Sequence, residues 1–445
     1  MFLLALRSLR QRPGRSVATL LSAFLGAAII MTFNSLHDTA GAPGVDSTSS
    51  SSLTTAASVV GGYGTLLVFF AVASTLTVNV RQRGTEIALL RATGATPAQI
   101  KRMVVGEAAV IALIGAVLAI GPAMLGGRLL LGMFQDSGQV ADSVDYAFGP
   151  VALLSGIDVT LLAAVGAALL AVRRATKAAA GERAPRNRRR DVLAYAALAA
   201  GAVSVSSTFA FDATDPALMA PAAYGSILLA VGFAVLSPRL LHALLGLLER
   251  PLTALTGASG YLTVHTLRRR AGELAGVLMP LILFTGMAIA TLYMQAVEND
   301  AIEASGLAKS VDDKNVQTLN LTVVGIIVVF ACVMLVNSLY AATSYRAREF
   351  GQQRLAGATP RQVLGTVAME GLALTVTGVF FGSLAGIAGI VPFTVVRTDG
   401  VLPDQGLGIW CAIVAVAGAA TLGTSLATAR RTLRTSAVEA VSLAA

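Results

Sequence analysis

Side chains able to do chemistry are sparse and scattered in this sequence. The histidines His37, His242 and His265 have no metal-ligand spacing, and Cys332 and Cys411 give no disulfide framework. There is no phosphate-binding G-x-x-x-x-G-K-[ST] loop, no nucleophile elbow, no paired-carboxylate constellation and no His-Glu-x-x-His zinc motif. We therefore expect no catalytic residues, no metal site and no cofactor bound by this chain.

Asp158 is the main ionisable residue placed inside an apolar run, about a third of the way along its predicted span. An acid at that depth is a candidate functional site, because a charge in hydrocarbon is costly. A shift of the span by a few residues would instead place Asp158 among lipid headgroups. Both interpretations remain open. Without a chain of buried ionisable groups, transport driven by protons or sodium has little support.

The elements that carry these residues are too apolar for a water-soluble domain. Of the 445 residues, 55% are hydrophobic and 13% are charged, and the mean hydropathy is +0.73. Apolar runs of roughly 20 residues, the length that crosses a bilayer, recur along the chain. We predict an all-α polytopic membrane protein with about ten transmembrane helices. The predicted spans are 17–33, 53–80, 103–134, 150–172, 192–210, 221–241, 274–297, 319–345, 363–396 and 407–429.

The distribution of charge sets the expected orientation. With the N-terminus inside, all Lys and Arg residues except Arg128, Lys309, Lys314 and Arg397 fall in inner segments, as the positive-inside rule requires. Both termini are then cytoplasmic. Arg far outnumbers Lys, and Ala and Gly are abundant, which indicates a GC-rich bacterial genome, so we expect a multi-pass protein of the bacterial inner membrane. The basic residues are spread over every inner loop, which favours contact with anionic membrane lipid and not with nucleic acid.

Two distant segments of the chain repeat one motif. Arg-x-x-Glu, followed by Arg-x-x-Gly-Ala-Thr-Pro-x-Gln and a further Glu, occurs at 83–107 and again at 346–370, a separation of 263 residues. We predict two parallel four-helix repeats joined by a two-helix insert. The expected domains are 1–185 for the first repeat, 186–257 for the insert and linker, and 258–445 for the second repeat.

Each copy of the motif predicts a helical elbow on the inner side of the membrane, at 81–102 and 346–362. A glycine ends one helix, and a Thr-Pro-x-Gln capping box with proline at the first helical position begins the next. Such an elbow could pass a push from a partner into the membrane helices, or could be only a well-made turn. The residues alone leave both interpretations open.

The run from Arg83 to Ile100, with Glu107 and a Gly/Ala-rich span after it, resembles the signature of FtsX-like permease domains of the FtsX/MacB type of ABC transporter. The resemblance covers both repeats, and the whole plan is similar to the ten-span permeases of peptide-antibiotic resistance transporters. It implies that the elbows are coupling helices for a separate cytoplasmic ABC ATPase, expected as a dimer, which would hold the ATP and Mg²⁺. The implied coupling residues are Arg83, Glu86, Leu89, Leu90, Arg91, Gly94, Arg346, Glu349, Gln353, Arg354 and Gly357. The second copy departs from the signature at 350–353.

Small residues repeat every four positions in the third and ninth predicted spans, including Gly115 and Gly127 in one and Gly378, Gly382 and Gly386 in the other. This spacing lets helix backbones approach closely in lipid. We expect helix packing, and a seam packed in this way could also slide when the elbows move.

The predicted outer loops are too short to fold a separate domain. We therefore expect an exporter of a hydrophobic or peptide-like compound, such as an antibiotic or a lipid, taken directly from the bilayer. A regulatory or mechanotransmitting subunit that signals the state of the ATPase to an extracellular partner is the main alternative. A secondary carrier is the third.

Overall fold

The computed structural model describes residues 13–54, 56–58, 89–90, 92–136, 138–179, 188–213, 218–256, 258–304, 339, 346–398 and 400–438. These residues form helices and short connections, with no β-strand among them. The long helices of the described part are α1 (Pro13–Ala40), α2 (Pro97–Asp136), α3 (Pro150–Ala179), α4 (Arg188–Ser207), α5 (Met219–Thr256), α6 (Ala258–Ala304), α7 (Ala347–Leu355), α8 (Pro360–Thr398) and α9 (Gly408–Thr432).

Eight of these helices are long and apolar enough to cross a membrane, and only the nine-residue α7 is not. Each of the eight coincides with one of the predicted spans over most of that span's length, although the predicted span 192–210 extends three residues past the end of α4. The other two predicted spans, 53–80 and 319–345, lie almost entirely outside the described residues. The prediction of an all-α polytopic membrane protein is confirmed.

α2 and α8 occupy corresponding positions in the two repeats and have nearly the same length, 40 and 39 residues. A helix of that length is about 60 Å long, twice the hydrocarbon thickness of about 30 Å. Both helices continue without a break through an internal proline, Pro122 in α2 and Pro392 in α8. Their extra turns must therefore extend beyond the hydrocarbon, and the N-terminal turns carry the elbows.

The chain divides into two compact units, and the described part of the first is made of α1, α2 and α3 with their connections. α2 packs closely on α1, where an apolar cluster includes Ala27, Met31, Ala119 and Ala123. The Thr32 hydroxyl on α1 donates a hydrogen bond to the Ala123 carbonyl on α2 (3.3 Å). Small residues on α2 are what permit this close approach.

At the far end of this unit from the elbow, two short connections are tied to each other and to the helices. Thr39 exchanges hydrogen bonds with the backbone of Ala147, and the Ala141 N–H donates to the Ser49 hydroxyl (3.0 Å). The carboxylate of Asp38 accepts hydrogen bonds from two backbone N–H groups in the first turn of α3 (3.1 and 2.8 Å), which caps that helix. These hydrogen bonds fix both connections to the ends of the helices.

The second unit contains the insert helices α4 and α5 together with α6 to α9. α6 is its central helix, and 78% of its most apolar 18-residue stretch is buried. The insert packs as a pair through Gly201 and Gly225, each of which lies so close to the other helix that an added Cβ would be 3.0 Å from the partner glycine's carbonyl oxygen. α5 then packs on α6, so the insert and the second repeat share one core.

Candidate coupling loops

The second elbow, which joins α7 to α8, is closed by backbone hydrogen bonds around Gly357. This residue has φ +100°, a conformation that glycine adopts without steric cost. The Ala358 N–H donates to the Gln353 carbonyl (2.9 Å) and the Gly357 N–H donates to the Arg354 carbonyl (3.1 Å), the pattern of a Schellman motif. α7 therefore ends sharply, and only the four residues 356–359 separate it from α8.

α8 begins immediately after this turn with the predicted capping box. The Thr359 N–H donates to Gln362 Oε1 (2.8 Å), and the Gln362 N–H donates to Thr359 Oγ1 (3.3 Å). Pro360 is the first residue of the helix, as expected from its fixed φ and missing N–H. The orphan donors of the helix start are satisfied locally, which makes the elbow rigid.

The first elbow has the same construction in its described part. Gly94 has φ +93°, and the Ala95 N–H donates to the Leu90 carbonyl (2.9 Å). The Thr96 N–H donates to Gln99 Oε1 (2.9 Å), and the Gln99 N–H donates to Thr96 Oγ1 (3.3 Å). The repeated sequence thus builds the same backbone geometry twice.

A buried cation joins the second elbow to the membrane helix that follows it. Arg346, 7% exposed, donates two hydrogen bonds to the carboxylate of Glu349 (2.8 and 3.0 Å). Its guanidinium also donates to both oxygens of Glu370, which is on α8, in the third turn. The guanidinium lies over the ring of Phe350, 5.0 Å from its centroid. One arginine therefore fixes α7 to α8.

The charges of this cluster stabilise one another. Burial disfavours the charged guanidinium, but the hydrogen bonds that it donates to Glu349 and the charges of Glu370 and Glu349 outweigh this effect and raise the pKa of Arg346. Hydrogen bonds from Arg346, with the further charge of Arg270 at 4.0 Å, hold the pKa of Glu349 below its usual range. Both groups stay ionised at neutral pH.

The elbow is also fixed to the last membrane helix. Arg354 donates hydrogen bonds to the carbonyls of Leu433 (3.3 Å) and Thr435 (2.8 Å), just beyond the end of α9. Carbonyls at a helix C-terminus favour a cation there. Beneath the elbow, the fully buried Phe350 packs with Val363, Val367 and Ala429 in an apolar cluster. α7, α8 and α9 meet at this point.

The predicted coupling residues separate into two groups by burial. Arg346 is buried, Glu349, Gln353 and Arg354 are partly buried, and the first and last of these three have internal partners. Leu89, Gly94 and Gly357 are exposed, and Leu90 is partly buried. Arg83, Glu86 and Arg91 lie outside the residues whose side chains the structure describes.

Burial matches closely between the two copies at positions 263 residues apart. Ile100 and Val363 are each 1% exposed, and Glu107 and Glu370 are 5% and 12% exposed. At the exposed position before the turn, however, the first copy has Leu89 and the second has Gln352. The supporting core is thus duplicated, whereas the outer surface differs.

Sequence reasoning did not assign a role to Glu370 or Arg270. An available signal was the acid retained at the start of an apolar helix in both copies, as Glu107 and Glu370. An acid in such a place requires a cation, and the motif arginine 24 residues earlier is the partner in the second copy. Arg270 could not be found in this way, because it comes from a distant helix, α6.

The glycines at four-residue spacing lie at helix contacts. An added Cβ would be 3.0 Å from the Phe24 backbone nitrogen at Gly115, and 2.7 Å from Tyr146 Cε2 at Gly127. On α8, it would be 3.0 Å from Leu281 Cβ at Gly378, 2.7 Å from Thr285 Cβ at Gly382, and 2.9 Å from Ile289 Cβ at Gly386, all on α6.

Asp158 lies in the third turn of α3, and its side chain is exposed on the surface of the first unit. Among the contacts described within the first unit, none joins Asp158 to the first elbow. Among the described residues, no group of three or more His, Cys, Asp or Glu side chains could hold a metal ion.

Eight candidate spans and two copies of one elbow define a duplicated, polytopic α-helical membrane protein. The model of the FtsX-like permease C-terminal family matches residues 58–180 and 321–437, just over half of the chain, and the chain belongs to the FtsX-like permease family. The matches begin at residues 58 and 321, the same 263-residue separation as the motif. No curated protein matches the chain. The family is one of non-enzymatic membrane permease subunits of ABC-type systems, which normally work with a separate ABC ATPase.

Proposed function

We propose that this chain is the permease subunit of an ATP-driven exporter in the bacterial inner membrane. Its cargo is a lipophilic or peptide-like compound, such as an antibiotic or a lipid, and export of this kind would confer resistance, as in MacB-type systems. The observation that carries the proposal is the pair of elbows with one backbone geometry. ATP and Mg²⁺ are held by a separate cytoplasmic ATPase dimer, and this chain binds no cofactor.

The exposed part of each elbow is the surface proposed to dock on the ATPase. Leu89 and Leu355 are 68% and 58% exposed. An apolar side chain exposed on a rigid turn would be stabilised by burial against a partner. The Gly94 and Gly357 turns and the capping boxes lie beside them. A rigid turn with one exposed leucine suits a shallow apolar cleft on a partner.

The buried part of each elbow is proposed to carry the movement inward. In the second copy, Arg346 joins α7 to α8 through Glu370, and Arg354 joins it to the end of α9. A displacement of the elbow therefore moves both helices together. The exposed residues differ between the copies, with Leu89 corresponding to Gln352 and Ala92 to Leu355. We therefore propose that the two elbows bind the two ATPase protomers with different affinity.

Co-expression of this chain with its genomic neighbours, followed by co-purification of an ABC ATPase, tests the docking surface. Leu89→Gln and Leu355→Gln should each weaken ATPase binding about tenfold without lowering the thermal stability of the permease. Leu247→Gln is the matched control, because Leu247 is also exposed, at 75%, and lies outside both elbows. If neither elbow variant changes ATPase binding, the proposed docking surface is wrong.

Inverted membrane vesicles that contain both proteins test transport. We expect ATP-dependent accumulation of a compound from a panel of lipophilic and peptide antibiotics, and loss of accumulation when Arg91 or Arg354 is replaced by Glu. ATP hydrolysis coupled to no accumulation would support the regulatory alternative instead. Accumulation that follows an ion gradient and ignores ATP would identify a secondary carrier.

A further inference from the structure

A large apolar groove runs along the second unit between α6, α8 and α9. Its volume is about 870 Å³, within the range of about 300–1,000 Å³ that ligand pockets occupy. The segment after α8 closes one end, where Leu402, Pro403 and Leu407 line it. Every lining residue belongs to the second unit.

The groove lies at membrane depth. Its wall on α8 extends from Leu372 to Val391, about 28 Å at 1.5 Å per residue, which matches the thickness of the hydrocarbon layer. All three helices that form it are candidate spans. Several of its side chains on α8, including Val376 and Phe380, are more than 40% exposed into it. Its contents are therefore drawn from the bilayer and not from water.

The polar groups in the groove wall already have partners within the chain. The Tyr293 hydroxyl donates to the Gly406 carbonyl (2.8 Å), and Trp410 Nε1 donates to the Ser383 hydroxyl (3.0 Å). The Thr375 hydroxyl donates to a carbonyl of its own helix, four residues earlier (2.9 Å). No polar ligand group is needed to satisfy them. The part of a ligand that lies within the groove must accordingly be hydrocarbon.

Leu339 is the one described residue of the predicted span 319–345, and it does not line the groove. Leu339 lines a small separate cavity with Val367 and Leu374 of α8. At 100° per residue, those two positions face away from Leu372 and Val376 on the same helix. The groove is therefore on the opposite side of α8 from Leu339.

The closed end of the groove has an acidic rim among the described residues. Arg397 is held by both oxygens of Glu298 (2.9 and 2.8 Å), so its charge is compensated. Asp404 is exposed beside Pro403, and Asp300 is exposed and accepts a hydrogen bond from the Gln405 amide (2.8 Å). This end is on the predicted outer side of the membrane. The net negative charge there is complementary to a cationic group.

We infer that the groove binds the alkyl chain of an amphiphile whose head is cationic and lies at the rim formed by Asp300 and Asp404. This inference rests on the proposed function, and it narrows the class of cargo. The apolar wall selects a hydrocarbon chain, because burial of apolar surface in the groove is favourable. The rim acids select the head, since an anionic head would be repelled.

Trp410 is the single tryptophan of the chain and lines the groove, so its fluorescence reports occupancy directly. The purified chain in phosphatidylcholine nanodiscs is titrated with a bromoalkyl trimethylammonium, whose bromine quenches tryptophan on contact. We expect saturable quenching. The bromoalkyl sulfonate with the same chain should bind about fivefold more weakly, a difference that high salt should reduce. Asp404→Asn should also reduce the difference in binding between the ammonium and sulfonate probes.

Val376→Phe fills the groove and should weaken binding of the ammonium probe about tenfold. Val376 faces the open groove, so the larger ring does not enter the core. Leu113→Phe is the matched control, 263 residues earlier on α2, similarly exposed and outside the groove. It should leave the titration unchanged.

Quenching that rises in proportion to the probe in the bilayer, without saturation and equally in Val376→Phe, would mean that the groove holds only ordinary bilayer lipid and would overturn the inference. Equal binding of the sulfonate would overturn the assignment of a cationic head. The titration needs no ATPase, so its failure is separable from that of the proposed function. Saturable binding combined with absent ATP-driven transport would reject the function alone.

Discussion

Arg346 and Glu370 form a two-pronged ion pair between the residue before α7 and the third turn of α8. The two residues are 24 positions apart in the sequence and are 7% and 12% exposed. A guanidinium presents two parallel donors that match the two oxygens of a carboxylate, and this geometry specifies orientation as well as distance. The pair therefore sets the angle at which the elbow meets the membrane helix.

Arg346→Ala should lower the free energy of unfolding by about 2–4 kcal/mol, because it leaves Glu370 buried without its partner and Glu349 with only partial compensation. Loss of the contact with Glu349 contributes less to this change, because Glu349 is more exposed and solvent screens its charge. Arg346→Lys should retain part of the stability but lose coupled transport, because an ammonium cannot make the forked contact. Thermal unfolding and ATP-dependent accumulation, measured on the same variants, check this.

A double-mutant cycle with Glu370→Gln provides the control. If the two residues act as a pair, the combined variant should cost clearly less than the sum of the single variants, with an interaction of about 1–3 kcal/mol. Strict additivity would show that the ion pair does not join the elbow to α8.

The Gly357 turn gives a second prediction. Gly357→Ala should destabilise the second elbow by about 1 kcal/mol, because φ +100° is strained for any residue with a Cβ, although nothing lies within 4 Å of the added atom. Hydrogen exchange of the amides of α7 measures the effect. Gly365→Ala is the matched control on α8, where there is likewise open space but helical φ, and it should be neutral or stabilising. Equal effects at both sites would contradict the role of backbone conformation.

Close packing of α8 on α6 gives a third prediction. An added Cβ at Gly382 would lie 2.7 Å from Thr285 Cβ and 3.0 Å from the Gly286 backbone nitrogen, so Gly382→Val should separate the two helices and abolish folding of the second unit. Gly423→Val on α9 meets nothing within 4 Å and should be tolerated apart from its helix propensity. Yield of monodisperse protein in detergent distinguishes them. A well-folded Gly382→Val variant would show that the seam can open.

The pH dependence of stability follows from the cluster at Arg346. The pKa of Glu349 is lower in the folded chain than its ordinary value of 4.5, so its contribution is fully present above about pH 4.5 and is lost as the pH falls through the folded pKa. Arg346 remains charged throughout that range. The midpoint of thermal unfolding should therefore lie higher in the wild-type chain than in Glu349→Gln at pH 7, and the difference should vanish in acid. A difference that does not shrink as the pH is lowered below 4.5 would contradict this.

Much of the architecture follows from patterns that are local in the sequence. Apolar runs of bilayer length predicted each of the eight candidate spans in the described residues, because hydrocarbon tolerates only backbone that satisfies its own hydrogen bonds. The Gly94 and Gly357 turns and both capping boxes were also predicted, because each is decided by residues within five positions of one another. The signature from Arg83 to Ile100, which recurs 263 residues later, also indicated the family.

Only the tertiary structure decided which side chains of the elbow face outward and which face inward. Arg346 and Arg354 have the composition of a charged surface, yet Arg346 contacts Glu370 on α8 and Arg354 contacts the carbonyls of Leu433 and Thr435. These partners are 24 to about 80 residues away in the sequence. A local sequence pattern does not show which residues that far apart are close in space. The groove beside Trp410 depends in the same way on how α6, α8 and α9 meet, since helix packing is determined by shape at many contacts and not by the periodicity of any one helix.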